Sequence, residues 1–315
     1  MACGPFPLSA TLKGGRPIEE FLQAVINGVM LGGFYAAMML GFSVIWGVMG
    51  VINLAHGEFV MVGAYITWLL SDGAGMDPFV AILLVAPIMF VIGYVLQRVL
   101  INRIVDRPHL VALLVTFGLS IIMANAVKLR YSATPRLTDT ALEGVWHPFG
   151  SVTIPRTKTG ILVVALLIMV LLWMFLHRTK LGKSIRAAAQ NKQAARIVGI
   201  DVKKIYAITF GISIAITGVA GALISSTQAV FPFMGPPLTL RAFTITALAG
   251  LGNIPGALMG GITLGLVESF IGIYVEGIGT NLAIVASFAL LWVILVTRPQ
   301  GLFGGLRPAE EPQPL

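Results

Sequence analysis

The stretch "GVMGVINLAHGEFVMVGAY", Gly47 to Tyr65, decides how this chain folds. Apolar and small residues fill both flanks, yet the centre reads Asn53-Leu-Ala-His56-Gly-Glu58. A plain transmembrane helix has no use for three such groups, because ionisable residues inside a span are costly and mark function by default. The stretch therefore reads as a break at membrane depth: a helix arrives, the chain turns, and a new helix leaves.

The surroundings support a membrane setting. Of 315 residues, 57% are hydrophobic and only 11% are charged, against roughly 25% charged in soluble domains; mean hydropathy is +0.91. These values exclude a water-soluble globule and point to an all-α polytopic membrane protein. The net charge of +8 is read as orienting Lys and Arg, so no nucleic-acid partner is expected. The first 20 residues lack an ordered n-region, h-region and cleavage site, so no secretory signal peptide is expected. The single cysteine, Cys3, excludes internal disulfides.

A helix needs about 20 apolar residues to cross roughly 30 Å of hydrocarbon. Spans are expected near 19–41, 79–100, 110–128, 160–177, 205–228 and 281–297. Two longer apolar regions, 42–70 and 239–275, are interrupted by "NLAHGE" (53–58) and "GLGNIPG" (250–256). The expectation is about eight transmembrane helices plus two half-helices, at 42–52 and 239–250. Residues 1–18 and 299–315 read as tails around a transmembrane domain, 19–298. Loop 178–204 carries eight basic residues and one acid, which places it, 101–109 and the C-terminus in the cytoplasm, with 71–78, 129–159 and 229–238 outside. Both interruptions read Gly, two residues, Asn, an aliphatic residue, one or two more residues and Gly, which suggests a pseudo-repeat. Discontinuous helices in repeated halves are a habit of transporters.

The candidate path or gate residues follow from these breaks: Asn53, His56 and Glu58 at the first, Asn253 at the second, and Glu268 midway along 256–275. Glu58 lies in the first turn of the outgoing helix, whose unpaired N–H groups favour a carboxylate. It is expected to be ionised there. Two readings stay open: these groups line the solute path, or Glu58 caps its helix while His56 serves a carbonyl. Thr209, Ser213 and Thr217 recur every four residues on one helix face. They are pore-lining candidates, or bond to carbonyls of their own helix and to neighbouring helices. Gly28/Gly32, Gly256/Gly260 and Gly261/Gly265 read as close helix packing.

No HExxH, GxSxG or Walker-type glycine loop occurs, and only His56 among four histidines lies in a span. No catalytic residue, metal site or cofactor is therefore expected, and the protein is not expected to be an enzyme. An energy-coupled transporter of this kind borrows its nucleotide site or uses an ion gradient. Loop 178–204 favours borrowing. "LGKSIRAAAQNKQAARIVGIDV" (181–202) reads as one long helix ending at Gly199, with Lys183, Arg186, Gln190 and Gln193 on one face, as a docking surface for a soluble partner.

With these residues quoted, the chain resembles the LivH-type permease subunits of bacterial branched-chain amino acid ABC importers. The likeness runs over residues 20–305. It rests on the 47–65 stretch, on "LGKSIRAAAQNKQAARIVGI" (181–200) and on "RAFTITALAGLGNIPGALMGGITLGLVE" (241–268). The middle block is similar to the coupling segment of importers, with Gln193-Ala194-Ala195, three residues and Gly199, Gln193 standing where Glu is usual. The resemblance adds Gly182 to the coupling set. It implies a second permease subunit forming a heterodimer, two cytoplasmic ATP-binding subunits, an extracytoplasmic solute-binding protein, and a multi-pass place in the inner membrane among lipid. Relatives carry leucine, isoleucine and valine, or urea and short amides. A stand-alone ion-coupled carrier or channel using Glu58 and Glu268 is the rival reading.

Overall fold

The computed structural model describes residues 17–105, 107–149, 152–250, 254–275, 279–298 and 301–302. In chain order the helices are α1 (Pro17–Met49), α2 (His56–Ala74), α3 (Pro78–Val99), α4 (His109–Tyr131), α5 (Arg156–Arg178), α6 (Lys180–Gln190), α7 (Lys192–Ile197), α8 (Val202–Ser225), α9 (Gly235–Ala249), α10 (Ile254–Tyr274) and α11 (Gly279–Thr297). A small antiparallel hairpin, β1 (Val145–Phe149) and β2 (Val152–Pro155), interrupts them. Among the described residues, six helices are long and apolar enough to cross a membrane: α1, α3, α4, α5, α8 and α10. The fold is all-α and polytopic.

α1 and α8 form the centre, almost wholly buried, while α3, α4 and α5 expose most of their surface. α1 packs antiparallel on α10: Gly28 lies against Leu266, and Gly32 against Ile262. A methyl group on Gly265 would sit 2.4 Å from the Gly28 carbonyl oxygen. The glycine pairs 28/32 and 261/265 thus face one another, and the backbones approach as the spacing suggests. Gly260 turns instead toward Ile245 of α9.

Two expectations are corrected. Residues 42–52 do not form a separate half-helix, because α1 runs unbroken for 33 residues, about 50 Å at 1.5 Å per residue. Nothing in 42–49 forbids helix, and the chain breaks only at Gly50, whose φ of 63° no longer continues it. The second break matches better: α9 has 15 residues, too short to span, and stops at Gly250 with φ of 80°. Segment 181–200 is two helices, not one. Asn191 adopts extended backbone, and its side chain accepts from the Gln193 and Ala194 N–H groups at 2.9 Å, starting α7. Loop 129–159 holds the β1–β2 hairpin, which Gln23 of α1 ties down through Thr153, with bonds of 2.8 and 2.9 Å.

Close α1–α10 packing sets a stability prediction. Gly265→Ala should lower the thermal midpoint in detergent by the equivalent of about 1–3 kcal/mol, as overpacking does. Gly272→Ala, on the same helix with nothing within 4 Å of the added carbon, should be neutral or slightly stabilising. Equal losses in the two would remove helix contact as the reason for Gly265.

Candidate functional site

The break after α1 is assembled from four helices. Asn53 is buried, and its Oδ1 accepts from the Ala55 N–H at 3.1 Å. His56 is buried, with Nε2 3.0 Å from the Met38 carbonyl oxygen of α1 and its ring edge-on to Phe42. Since a carbonyl only accepts, Nε2 carries the hydrogen and a neutral ring presents Nδ1 as acceptor. Glu58 is buried, and its Oε1 accepts from Ser120 Oγ of α4 at 2.7 Å. Its carboxyl lies against the start of α9, where a methyl on Gly235 would come within 2.7 Å of Glu58 Cδ. A side chain at position 235 would have to push the Glu58 carboxyl aside.

The backbone around these side chains is served by hydroxyls from both sides. Thr116 Oγ1 of α4 accepts from the Leu54 N–H at 3.2 Å, and Thr239 Oγ1 of α9 accepts from the Gly57 N–H at 2.8 Å. Three buried polar atoms, Asn53 Nδ2, His56 Nδ1 and Glu58 Oε2, have no hydrogen-bond partner among the described residues. Such groups are costly in a closed structure.

Thr209, Ser213 and Thr217 are all fully buried in α8. Thr209 and Thr217 donate to Ile205 and Ser213 carbonyls one turn back, at 2.8 and 2.9 Å, while Ser213 donates across to the Gly41 carbonyl of α1. Their bonds are therefore to backbone, within α8 and to its neighbour. Asn253 lies outside the described residues.

Glu268 belongs to a separate cluster. Its Oε1 meets Arg241 Nε at 2.8 Å and Ser287 Oγ at 2.6 Å, and Tyr35 Oη donates to its Oε2. One carboxylate thus joins α1, α9, α10 and α11. Beside it a cleft of about 340 Å³ opens between α9 and α11, lined by Pro237, Leu240, Arg241, Thr244, Ser287 and Phe288 among others. Arg241 was not singled out in the sequence. The usable signal was that a lone acid such as Glu268 at membrane depth demands a cation, and Arg241 is the one basic residue in the same apolar region.

In the loop between α5 and α8, Gly182 packs on the end of α5, where a methyl would lie 2.2 Å from the Phe175 carbonyl oxygen. Thr179 caps the same residue's N–H at 2.9 Å. Lys183, Arg186, Gln190, Gln193, Ala194 and Gly199 are exposed, whereas Ala195 is buried. The break at Asn191 removes Gln193 from the helix that carries Lys183, Arg186 and Gln190. Gly199 ends the segment with φ of 84°. Just before it, Ile197 and Val198 are 86% and 74% exposed, two large apolar side chains that the charge-based reading passed over.

Residues 24–297 match the family described as "Branched-chain amino acid transport system / permease component". The chain belongs to this permease family. It is 32% identical over 307 residues to the high-affinity branched-chain amino acid transport system permease protein LivH of Escherichia coli (strain K12), covering 92% of this chain and 97% of that one. It is 33% identical to BraD, the corresponding permease protein of Pseudomonas aeruginosa, over 93% and 98% of the two chains. LivM of Escherichia coli is also similar, at 26% identity over 87% of this chain and 68% of its own. The family is one of transporters, not of enzymes, and this permease is a multi-pass inner-membrane protein.

The Glu268 cluster gives this permease a direct test. Arg241→Met or Glu268→Gln alone leaves a buried charge without its partner and should cost about 3–5 kcal/mol, whereas the double variant should recover most of that loss. Thermal unfolding of the four proteins checks this. Additive losses would show that the ion pair is not the binding element.

Proposed function

We propose that this chain is the LivH-like permease subunit of an ABC importer and forms, with a second permease subunit, the inner-membrane path for branched-chain or similar amino acids. The observation that carries this reading is the family match, which runs through the whole transmembrane body. Two cytoplasmic ATP-binding subunits supply hydrolysis, and an extracytoplasmic binding protein delivers the solute. Eight helices cross the membrane, α1–α5, α8, α10 and α11, with α9 as the half-helix that enters and returns with α10. The 178–204 loop faces the cytoplasm, as its eight basic residues favour.

In this reading α6 and α7 dock the ATPase, and the exposed pair Ile197–Val198 is the apolar knob at the tip. Apolar side chains this exposed at the end of a rigid helix pair are what a docking groove takes up. Ile197→Asp/Val198→Asp should abolish ATP-dependent leucine uptake by the reconstituted importer, with the ATPase subunits lost from the purified complex and the permease still inserted. Wild-type uptake would reduce the loop to a topology anchor.

The start of α2 is the gate region. Asn53, His56 and Glu58 are closed off here, and their unpartnered atoms acquire partners only when the helices around them separate. The α8 hydroxyls Thr209, Ser213 and Thr217 belong to the same central region, and Asn253 stays a path candidate from its place in the sequence pseudo-repeat alone. Glu58→Gln retains an acceptor for Ser120 and almost the same shape. It should lower uptake per ATP hydrolysed by roughly tenfold, a change of about 1.4 kcal/mol, without lowering expression. Uptake and ATPase rates equal to wild type would make Glu58 a helix-capping residue only.

A further inference from the structure

At the end of α4, a second constellation lies apart from both buried clusters. Lys128, Arg130 and Arg136 surround an open cleft of about 1100 Å³ walled by Trp68 and Tyr131. Among the described residues, none of the three cations forms an ion pair. Arg136 is stacked over Trp68 at 4.9 Å, and its Nε is buried without an acceptor. Tyr65, stacked on Tyr131 at 5.4 Å, holds a buried hydroxyl that likewise lacks a partner. Arg136 Nη2 reaches the Tyr131 carbonyl at 3.4 Å, but no carboxylate among the described residues lines the cleft, so the site offers donors and positive charge without a counter-ion of its own.

The backbone is built to hold this arrangement. Ser132 adopts φ of 62° and ψ of −179°, a conformation that essentially only glycine takes without strain. The turn returns the chain so that Arg136 pairs with Val230 through backbone bonds of 2.9 and 2.8 Å. Arg136 is thereby pinned over the aromatic wall instead of reaching into water.

What approaches the cations is set by α4 itself. Leu114, Phe117 and Ile121 are each about half exposed or more, and with Lys128 they recur at helical spacing on one face. An apolar stripe thus runs along the helix and ends at the cationic cleft, within the aromatic zone typical of a membrane interface. We infer that this cleft binds the headgroup of an anionic phospholipid, its phosphodiester on Lys128, Arg130 and Arg136 and its acyl chains along Leu114, Phe117 and Ile121. A free phosphate would use the cations and ignore the stripe; an acidic protein surface would have no use for it. The inference holds for either leaflet and does not depend on the substrate.

The test is native mass spectrometry of the delipidated importer complex, titrated in turn with phosphatidylglycerol, phosphatidylcholine and glycerol phosphate. Phosphatidylglycerol should bind in preference to phosphatidylcholine, glycerol phosphate should not be retained, and Lys128→Gln/Arg130→Gln should weaken phosphatidylglycerol at least about tenfold, as two interfacial cations warrant. Both residues are exposed, so folding is spared; Arg136→Gln gives an independent second variant. Equal binding of the two lipids, or phosphatidylglycerol binding unchanged in both variants, overturns the inference. Retention of glycerol phosphate as tight as that of the lipid makes this a free-phosphate site and also overturns it. So does loss of an extracytoplasmic partner protein with lipid binding intact, which makes the cleft a protein dock.

Discussion

A helix that begins inside a membrane must find partners for amides that neither lipid nor its own first turn can supply. α2 begins in the interior of the helical bundle, and four of the amides at its entry are served. Leu54 N–H goes to Thr116, Ala55 N–H to the Asn53 side chain, His56 N–H to the Asn53 carbonyl, and Gly57 N–H to Thr239. Two of the four bonds come from other helices, α4 and α9. The break that the 47–65 stretch announces is therefore tolerable only in the assembled bundle. An isolated segment with these residues would leave two buried donors unpaired, at roughly 1–3 kcal/mol each.

The same constraint separates the two membrane acids. Glu268 is answered in full: a cation, a phenol and a serine hydroxyl converge on it, and it fastens four helices. Its geometry is that of a structural rivet. Glu58 is answered by one serine hydroxyl, with its second oxygen unpartnered and a glycine pressed against it. A group so incompletely satisfied gains most from any rearrangement that brings it a donor. The contrast favours Glu58 over Glu268 as the residue whose surroundings change during transport.

Much of this was legible in the sequence, and the reasons are specific. Composition gave the class, and the expected second half-helix ends at Gly250, where α9 does stop with positive φ; Gly50, which ends α1 in the same way, lay inside the expected 42–52 half-helix. The facing glycine pairs 28/32 and 261/265 could be read from spacing alone. The continuity of α1 through residue 49 was not legible. An apolar run has no internal mark of where a span ends, and a 33-residue helix looks like a helix plus a fragment. Arg241 escaped because its charge is cancelled only in space, 27 positions along the chain from Glu268. The break at Asn191 was hidden in a run of helix formers, where one side chain capping two amides outweighs propensity. Ile197 and Val198 were passed over because a docking surface was sought among charges.

α9 is where these threads meet. It is only 15 residues long, yet it is held at three points by polar bonds instead of by length. Gly235 and Thr239 at its start face Glu58 and Gly57, Arg241 a turn later grips Glu268, and the Leu248 carbonyl near its end accepts the Leu302 N–H at 2.9 Å. Sliding α9 by even a part of a turn would uncover the Gly57 amide, loosen the ion pair and free the C-terminal strand of chain at once. Packed interfaces of this kind respond by switching between discrete arrangements and not by continuous deformation. A short helix that shares its bonds with the α2 entry, with the α10–α11 rivet and with the chain leaving α11 therefore ties the state of the break to the state of the C-terminal end of the bundle, and it does so through groups that cannot be left unpaired one at a time.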